Sequence, residues 1–226
     1  MENKDVSREI DEIRSSMAQV IVGKTEVIDL LITVFLSEGH ALIEDVPGVG
    51  KTLLAKTFAK CLGLDFRRIQ FTPDLLPADI TGVSVFNQKT LEFDFMPGPV
   101  FTDILLADEI NRATPRTQSS LLECMEERQV TVDGVTYDLS HNFIVLATQN
   151  PVELSGTFPL PEAQLDRFLM KISIGYPSKE EEEEIVSRFE KGMDTIFNIA
   201  PIGKDKIARL KESAKNVHVS SEIVSY

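Results

Sequence analysis

Five short runs along the chain, His40–Ile43, Phe66–Gln70, Ile104–Ala107, Phe143–Thr148 and Leu169–Ile174, read as strands. Short apolar runs of this kind are buried on both faces of a parallel sheet. Between them the apolar positions fall at helical spacing. One helix is predicted over about Ile28 to Ser37, a second begins at Lys51, and a third follows Thr114-Pro115, a favourable helix start. That third helix runs through "RTQSSLLECMEER" with Leu121, Leu122 and Met125 on one face. Strands alternating with helices in this way predict an α/β domain.

Two segments between these elements alternate instead with period two. In "GVSVFNQKTLEFDF" two such stretches flank a polar turn at Asn87 to Thr90, and in "RQVTVDGVTYDL" the Asp133-Gly134 pair predicts a type I′ turn. Both read as inserted hairpins, either surface decoration or elements that touch a substrate or a neighbouring subunit. After Tyr176-Pro177 the pattern changes. "SKEEEEEIVSRFEKG" offers Ser178 as an N-cap, acidic residues in the first turn, and Ile185, Val186 and Phe189 at helical spacing; the glutamates read as a solvated face. A boundary is therefore expected at Pro177, with residues 1–176 as one unit and 177–226 as the start of a small helical unit that includes "KDKIARLKESAKNV".

Composition constrains function mainly by exclusion. The formal charge of -13 argues against a protein whose main task is coating nucleic acid, although it leaves a local basic pore open. The longest apolar run, Val27 to Leu36, includes Asp29 and Thr33 and falls short of the roughly 20 residues that span a bilayer. No membrane insertion is expected, and "MENKDVSREI" lacks the order of a secretory signal. Cys61 and Cys124 lie outside any metal or redox motif and read as buried thiols, which predicts a cytoplasmic protein.

The candidate chemistry lies at the ends of predicted strands. "DVPGVGKT" follows one strand and opens a helix, placing Gly50, Lys51 and Thr52 in the register of a phosphate-binding P-loop. There the lysine reaches the β and γ phosphates and the threonine hydroxyl reaches Mg²⁺. The first position of the pattern holds Asp45 instead of glycine, which tolerates the backbone but sets a charge near the phosphates. "ILLADE" delivers Asp108 and Glu109 at the end of another strand. Asp108 is expected to hold Mg²⁺ and Glu109 to polarise an attacking water; as a lone pair, the two carboxylates would read simply as caps of the next turn. No Asn-Lys-x-Asp run occurs, so adenine is expected over guanine.

Taken together, "DVPGVGKT", "ILLADEINRATPRTQSSLLECMEERQVTVDG", "IVLATQNPVE" and "GTFPLPEAQLDRF" closely resemble the MoxR family of AAA+ ATPases over most of Val20 to Pro177. The resemblance implies a three-layer αβα P-loop NTPase core with inserted β-hairpins, followed by an α-helical lid that is incomplete here because no residue matches the family's sensor 2 arginine. It implies ATP and Mg²⁺ as ligands, with a nucleotide-binding set of Val22, Gly23, Pro47, Gly48, Val49, Gly50, Lys51, Thr52 and Leu53. Val22 and Gly23, in "VIVGKT", would pack on adenine, although core packing explains them equally well. It also implies metal binding by Thr52 and Asp108, and a catalytic set of Glu109, Asn150 as sensor 1 and Arg167 as an arginine finger. Asn150 is alternatively a turn-former before Pro151, and Arg112 and Arg116 are rival fingers or structural partners of acidic neighbours. The partners implied are further copies of the chain in a ring, usually a hexamer, a von Willebrand factor A-type protein, and a client of unknown identity. An ATP-gated switch with little turnover and a DNA-acting AAA+ relative are the alternatives.

Overall fold

The computed structural model describes residues 2–46, 48–151, 156–190 and 199–225. The chain enters through α1 (Glu2–Ala18) and α2 (Thr25–Leu36), then forms β1 (Ala41–Glu44), α3 (Lys51–Leu62) and β2 (Phe66–Gln70). A short helix α4 (Pro77–Thr81) leads into the hairpin β3 (Gly82–Asn87) and β4 (Glu92–Pro97). Next come β5 (Ile104–Asp108), a 3₁₀ turn at Ile110–Arg112 and α5 (Pro115–Glu127), then the hairpin β6 (Gln129–Val132) and β7 (Val135–Asp138). The chain continues through β8 (Ile144–Gln149), α6 (Glu162–Leu165), β9 (Met170–Ile172), α7 (Lys179–Glu190), α8 (Lys204–Lys215) and α9 (Ser221–Val224). Among the described residues no helix is long and apolar enough to cross a membrane.

The expected strands form one parallel sheet in the order β2-β5-β8-β1-β9. Successive residues point to opposite faces, and both faces are covered. Ala41 and Ile43, Ile104 and Leu106, and Ile144 and Leu146 pack into a buried cluster with α1, α2 and α3. Their neighbours Leu42, Leu105, Ala107, Val145 and Ala147 pack on the other side against Leu121, Leu122 and Met125 of α5. This double burial explains why β1, β5 and β8 are apolar runs. β2 and β9 lie at the edges of the sheet, and Phe66–Gln70 departs from the expectation of burial on both faces, with Ile69 buried and Arg67, Arg68 and Gln70 exposed. The three helices read from the sequence form as α2, α3 and α5; α3 begins at Lys51 and α5 directly after Thr114 as expected, and α2 begins at Thr25, three residues before the expected Ile28. The expectation of a three-layer αβα core is met.

Both hairpins are present. Asp133 and Gly134 take φ of 51° and 80°, the two positive values a type I′ turn requires. Phe95 of β4 stacks on Tyr137 of β7 with ring centroids 4.2 Å apart, so the two insertions support each other. In the segment after Pro177, Ser178 closes a capping box with Glu181: its hydroxyl accepts from Glu181 N–H at 3.2 Å, and Glu181 Oε2 accepts from Ser178 N–H at 2.8 Å. Further on, Ile199, Ile202, Ile207 and Leu210 join the buried cluster of α1 to α3. Lys211 of α8 is buried over the Phe35 ring and donates to Asn142 Oδ1 at 2.9 Å.

Candidate nucleotide and metal site

The chain leaves β1 into α3, on the first face of the sheet, and leaves the neighbouring β8 toward Leu160, Leu165 and Phe168, on the second. Adjacent strands whose connections depart to opposite faces open a crevice at their carboxyl ends, where α/β sheets bind ligands. The β1–α3 turn lies at that crevice. Gly48 and Gly50 hold φ of 89° and 85°, in the left-handed region, which explains glycine at both places. A Cβ built at either would meet nothing within 4 Å, so the turn borders open space. The first N–H groups of α3 have no intrahelical partner, as at any helix start, and a turn of this shape directs them at an anion. Lys51 Nζ donates to the Asp45 carbonyl at 2.8 Å, within its own loop. Thr52 is half-buried, Leu53 is exposed and Val49 packs partly on the first cluster. Pro47 lies outside the described residues.

Asp45 corrects the expectation of an unfavourable charge beside the phosphates. Its carboxylate turns toward the end of β9: Oδ2 accepts from Ile174 N–H at 2.7 Å and Gly175 N–H at 2.6 Å, and Oδ1 accepts from Val46 N–H at 2.9 Å. Burial acts to raise its pKa, but the three backbone donors and Lys51 outweigh it and hold the carboxyl below its ordinary value. The residue clasps the turn to the strand that leads toward α7.

Sheet register aligns the acidic end of β5 with this turn. Asp108 follows Ala107, which pairs with Ala147, itself paired with Leu42 of β1. With strands about 4.8 Å apart, Asp108 stands on the order of 10 Å from β1 at the same edge of the sheet. It shares the parity of Leu106, whose side chain faces the α3 layer, so its carboxylate belongs to the face from which Thr52 rises. Oδ1 accepts from Thr148 Oγ1 at 2.6 Å, and Oδ2 accepts from Arg68 Nη2 at 2.6 Å and Nε at 3.1 Å. Glu109 sits at φ 56°, uncommon for a non-glycine residue, and is held there by its N–H donating to Thr148 Oγ1 at 2.8 Å. Its Oε2 accepts from Gln70 Nε2 at 2.7 Å and Arg112 Nη1 at 2.8 Å. Arg112 is thus a partner of an acidic neighbour, one of the two roles read for it. Asn150 is buried one residue beyond β8, between the ends of β1 and β5 in strand order.

The remaining candidates lie elsewhere. Arg167 pairs with Glu126 and donates to the Leu122 carbonyl at 3.1 Å. That end of α5 adjoins the amino ends of the strands, since His40, just before β1, bonds the carbonyl of Met125 and accepts from Val145. Arg167 is therefore at the edge opposite the turn of its own chain. Arg116 is exposed. Val22 is buried, and Gly23, with φ 69°, faces α7: a Cβ there would lie 1.6 Å from Glu181 Oε1. Arg68, Gln70 and Thr148 were not singled out in the sequence, although polar residues closing a strand at the ligand edge are a usable signal.

The chain's similarities follow this geometry. The model of the ATPase family associated with various cellular activities (AAA) matches residues 40–170. Chaperone MoxR1 of Mycobacterium tuberculosis is 49% identical over 208 residues, covering 92% of this chain and 55% of the relative. YeaC of Bacillus subtilis is 54% identical over 209 residues, covering 92% of this chain and 65% of the relative. The chain thus spans a little over half to nearly two thirds of the length of these curated relatives. The crystal structure of a candidate ATPase from Cytophaga hutchinsonii superposes with a TM-score of 0.90 at 43% identity, over 100% of this chain and 68% of that one. With the glycine turn and the paired carboxylates at one edge of the sheet, these matches show that the chain belongs to the AAA ATPase family as a MoxR-like AAA+ member.

Proposed function

We propose that the chain binds Mg-ATP in the crevice at β1 and β8 and hydrolyses it to ADP and phosphate, driving chaperone-like remodelling or maturation of a client protein. The observation that carries this reading is the alignment of the β1–α3 turn, Asn150 and Asp108 at the carboxyl ends of three adjacent strands. Thr52 and Asp108 supply the hydroxyl and carboxylate oxygens that suit Mg²⁺, and the open glycine turn suits a polyphosphate. When bound, the ion neutralises charge on the β- and γ-phosphate oxygens. The turn from Gly48 to Leu53 holds the phosphates through backbone N–H groups while Lys51 donates to the β and γ oxygens, with Pro47 assigned to the same set by the family resemblance. Val22 and Gly23 pack on the adenine.

Glu109 accepts a proton from the water whose oxygen bonds the γ-phosphorus, as the bond to the bridging oxygen of ADP breaks. Asn150 orients that water. Arg167 serves the nucleotide of the neighbouring subunit, a role supported by its place at the far edge from its own turn. Hydrolysis then depends on assembly into a ring, proposed as a hexamer. A von Willebrand factor A-type partner and the client complete the proposal, with residues 1–176 as the nucleotide-binding unit and 177–226 as the start of the lid. Cys61 and Cys124 are free, buried thiols, in keeping with the reducing cytoplasmic setting proposed for the chain.

A second reading, an ATP-gated switch with little turnover, is favoured by one observation: Gln70 and Arg112 both bind Glu109 Oε2. Glu109→Gln separates the two. On the hydrolysis reading this variant keeps ATP binding and loses phosphate release. Equal release by variant and parent would defeat that reading.

A further inference from the structure

We propose that Arg68 is the resident counter-ion of the metal-binding carboxylate, displaced when Mg²⁺ arrives with the nucleotide, and that its departure loosens the hold of Gln70 on Glu109. The inference rests on the reading of Asp108 as a metal-holding residue and adds a residue that competes for it.

The hydrogen bonds at Asp108 carry the first half. Its side chain is only 12% exposed, so protein donors rather than solvent fill its oxygens. Oδ1 is committed to the Thr148 hydroxyl at 2.6 Å. Oδ2, the remaining oxygen, takes two guanidinium donors of Arg68, at 2.6 and 3.1 Å, which occupy both of its lone pairs. A Mg²⁺ ion or its bound water needs that same oxygen. A guanidinium and a divalent cation repel each other, and both cannot hold one carboxylate oxygen at full strength. Arg68 can leave readily, because its own side chain is 45% exposed and water takes up its donors. Its place is set by the sheet: Arg68 pairs with Leu106, so Asp108 is the diagonal neighbour on the same face of the adjacent strand.

The second half follows from the amide of Gln70. Arg68 Nη2 donates to Gln70 Oε1 at 2.9 Å, and Gln70 Nε2 donates to Glu109 Oε2 at 2.7 Å. With its oxygen engaged by the guanidinium, the amide must present its NH₂ group to Glu109. Removing Arg68 from Asp108 removes that orientation. Glu109 then keeps Arg112 and loses its second fixed donor. Occupation of the metal site is thereby communicated to the water-polarising carboxylate through two hydrogen bonds.

The test measures binding, without turnover. A fluorescent non-hydrolysable ATP analogue is titrated onto the 226-residue chain and onto Arg68→Ala, first in EDTA and then across a Mg²⁺ series. Arg68→Ala is expected to bind the metal-free analogue within about twofold of the parent, and to reach half of the Mg²⁺-dependent gain at about three- to fivefold lower Mg²⁺, the range of a half-exposed ion pair. Arg68→Lys, which keeps the charge but not the two-nitrogen contact, falls between them. Circular dichroism checks the fold, and Arg68→Gln carries the same comparison should the alanine variant unfold. An unchanged Mg²⁺ midpoint in the folded variants would make the pair purely structural and overturn the proposal. Lost affinity in EDTA as well would make Arg68 a phosphate ligand and overturn it equally. A parent chain that takes up no analogue at any Mg²⁺ concentration would instead remove the nucleotide reading on which the proposal stands.

Discussion

His40 stands immediately before β1, the strand that carries the glycine turn, and it ties that strand to two neighbours. Its Nδ1 accepts from Val145 N–H at 2.9 Å, and its Nε2 bonds the Met125 carbonyl at 3.2 Å, which together define the neutral ring with its proton on Nε2. Protonation would put a second hydrogen against the Val145 donor. Burial is the largest influence and lowers the pKa; the bond to Met125 works against it and the Arg128 charge adds to it, leaving the group at about 4 against an ordinary value of 6.5. Because the folded pKa is the lower one, the unfolded chain binds more protons between these values, so stability falls as pH drops through 6.5 toward 4. The full difference is about 3 kcal/mol, of which about 2 kcal/mol is lost between pH 7 and pH 5. That is a large part of the roughly 5–15 kcal/mol that holds a domain folded. The assay is urea unfolding followed by circular dichroism at pH 7, 6 and 5, for the parent and for His40→Gln. The variant should be less stable at pH 7 and should lack this part of the pH slope. If parent and variant lose stability in parallel over that range, His40 is not the titrating group and the argument fails.

Two further substitutions probe the site. Asp45→Asn puts an amide NH₂ where a carboxylate oxygen now accepts backbone N–H groups, so thermal unfolding should show a loss of about 1–3 kcal/mol. Since the folded pKa of Asp45 is depressed, the parent's advantage should be full above the ordinary value of 3.8 and shrink as pH falls through the lower folded value; an equally stable variant would refute the clasp. Arg167→Ala should leave the nucleotide affinity of an isolated subunit unchanged while lowering turnover of the assembled protein by on the order of 10³-fold or more, measured as phosphate release against concentration. Lost affinity in the isolated subunit would contradict its position at the far edge.

Much of this was legible in the chain because the relevant forces are local. Double-sided burial makes Ile104–Asp108 and Ile144–Gln149 apolar runs wherever they occur, and positive φ selects glycine at 48, 50 and 134. The helix α1 was not read. Its sequence is mostly polar, and Ile13 and Met17 are informative only once α2, α3 and α8 are there to bury them. Asp45 read as a liability, because nothing near it in sequence says that Ile174 and Gly175 will arrive with their N–H groups.

The sequence by itself determined the strands of the sheet, the helices α2, α3 and α5, the glycine turn and the identity of the two carboxylates, since each depends on backbone conformation or burial within a few residues. Only the tertiary structure decided what surrounds them. Arg68 meets Asp108, 40 positions away, because parallel pairing of β2 with β5 sets their register. Arg167 is kept from its own turn because α5 runs to the opposite edge of the sheet. Hydrogen bonds and charges act over a few ångströms in space, and the register of the sheet, which no single segment encodes, determines which groups come that close.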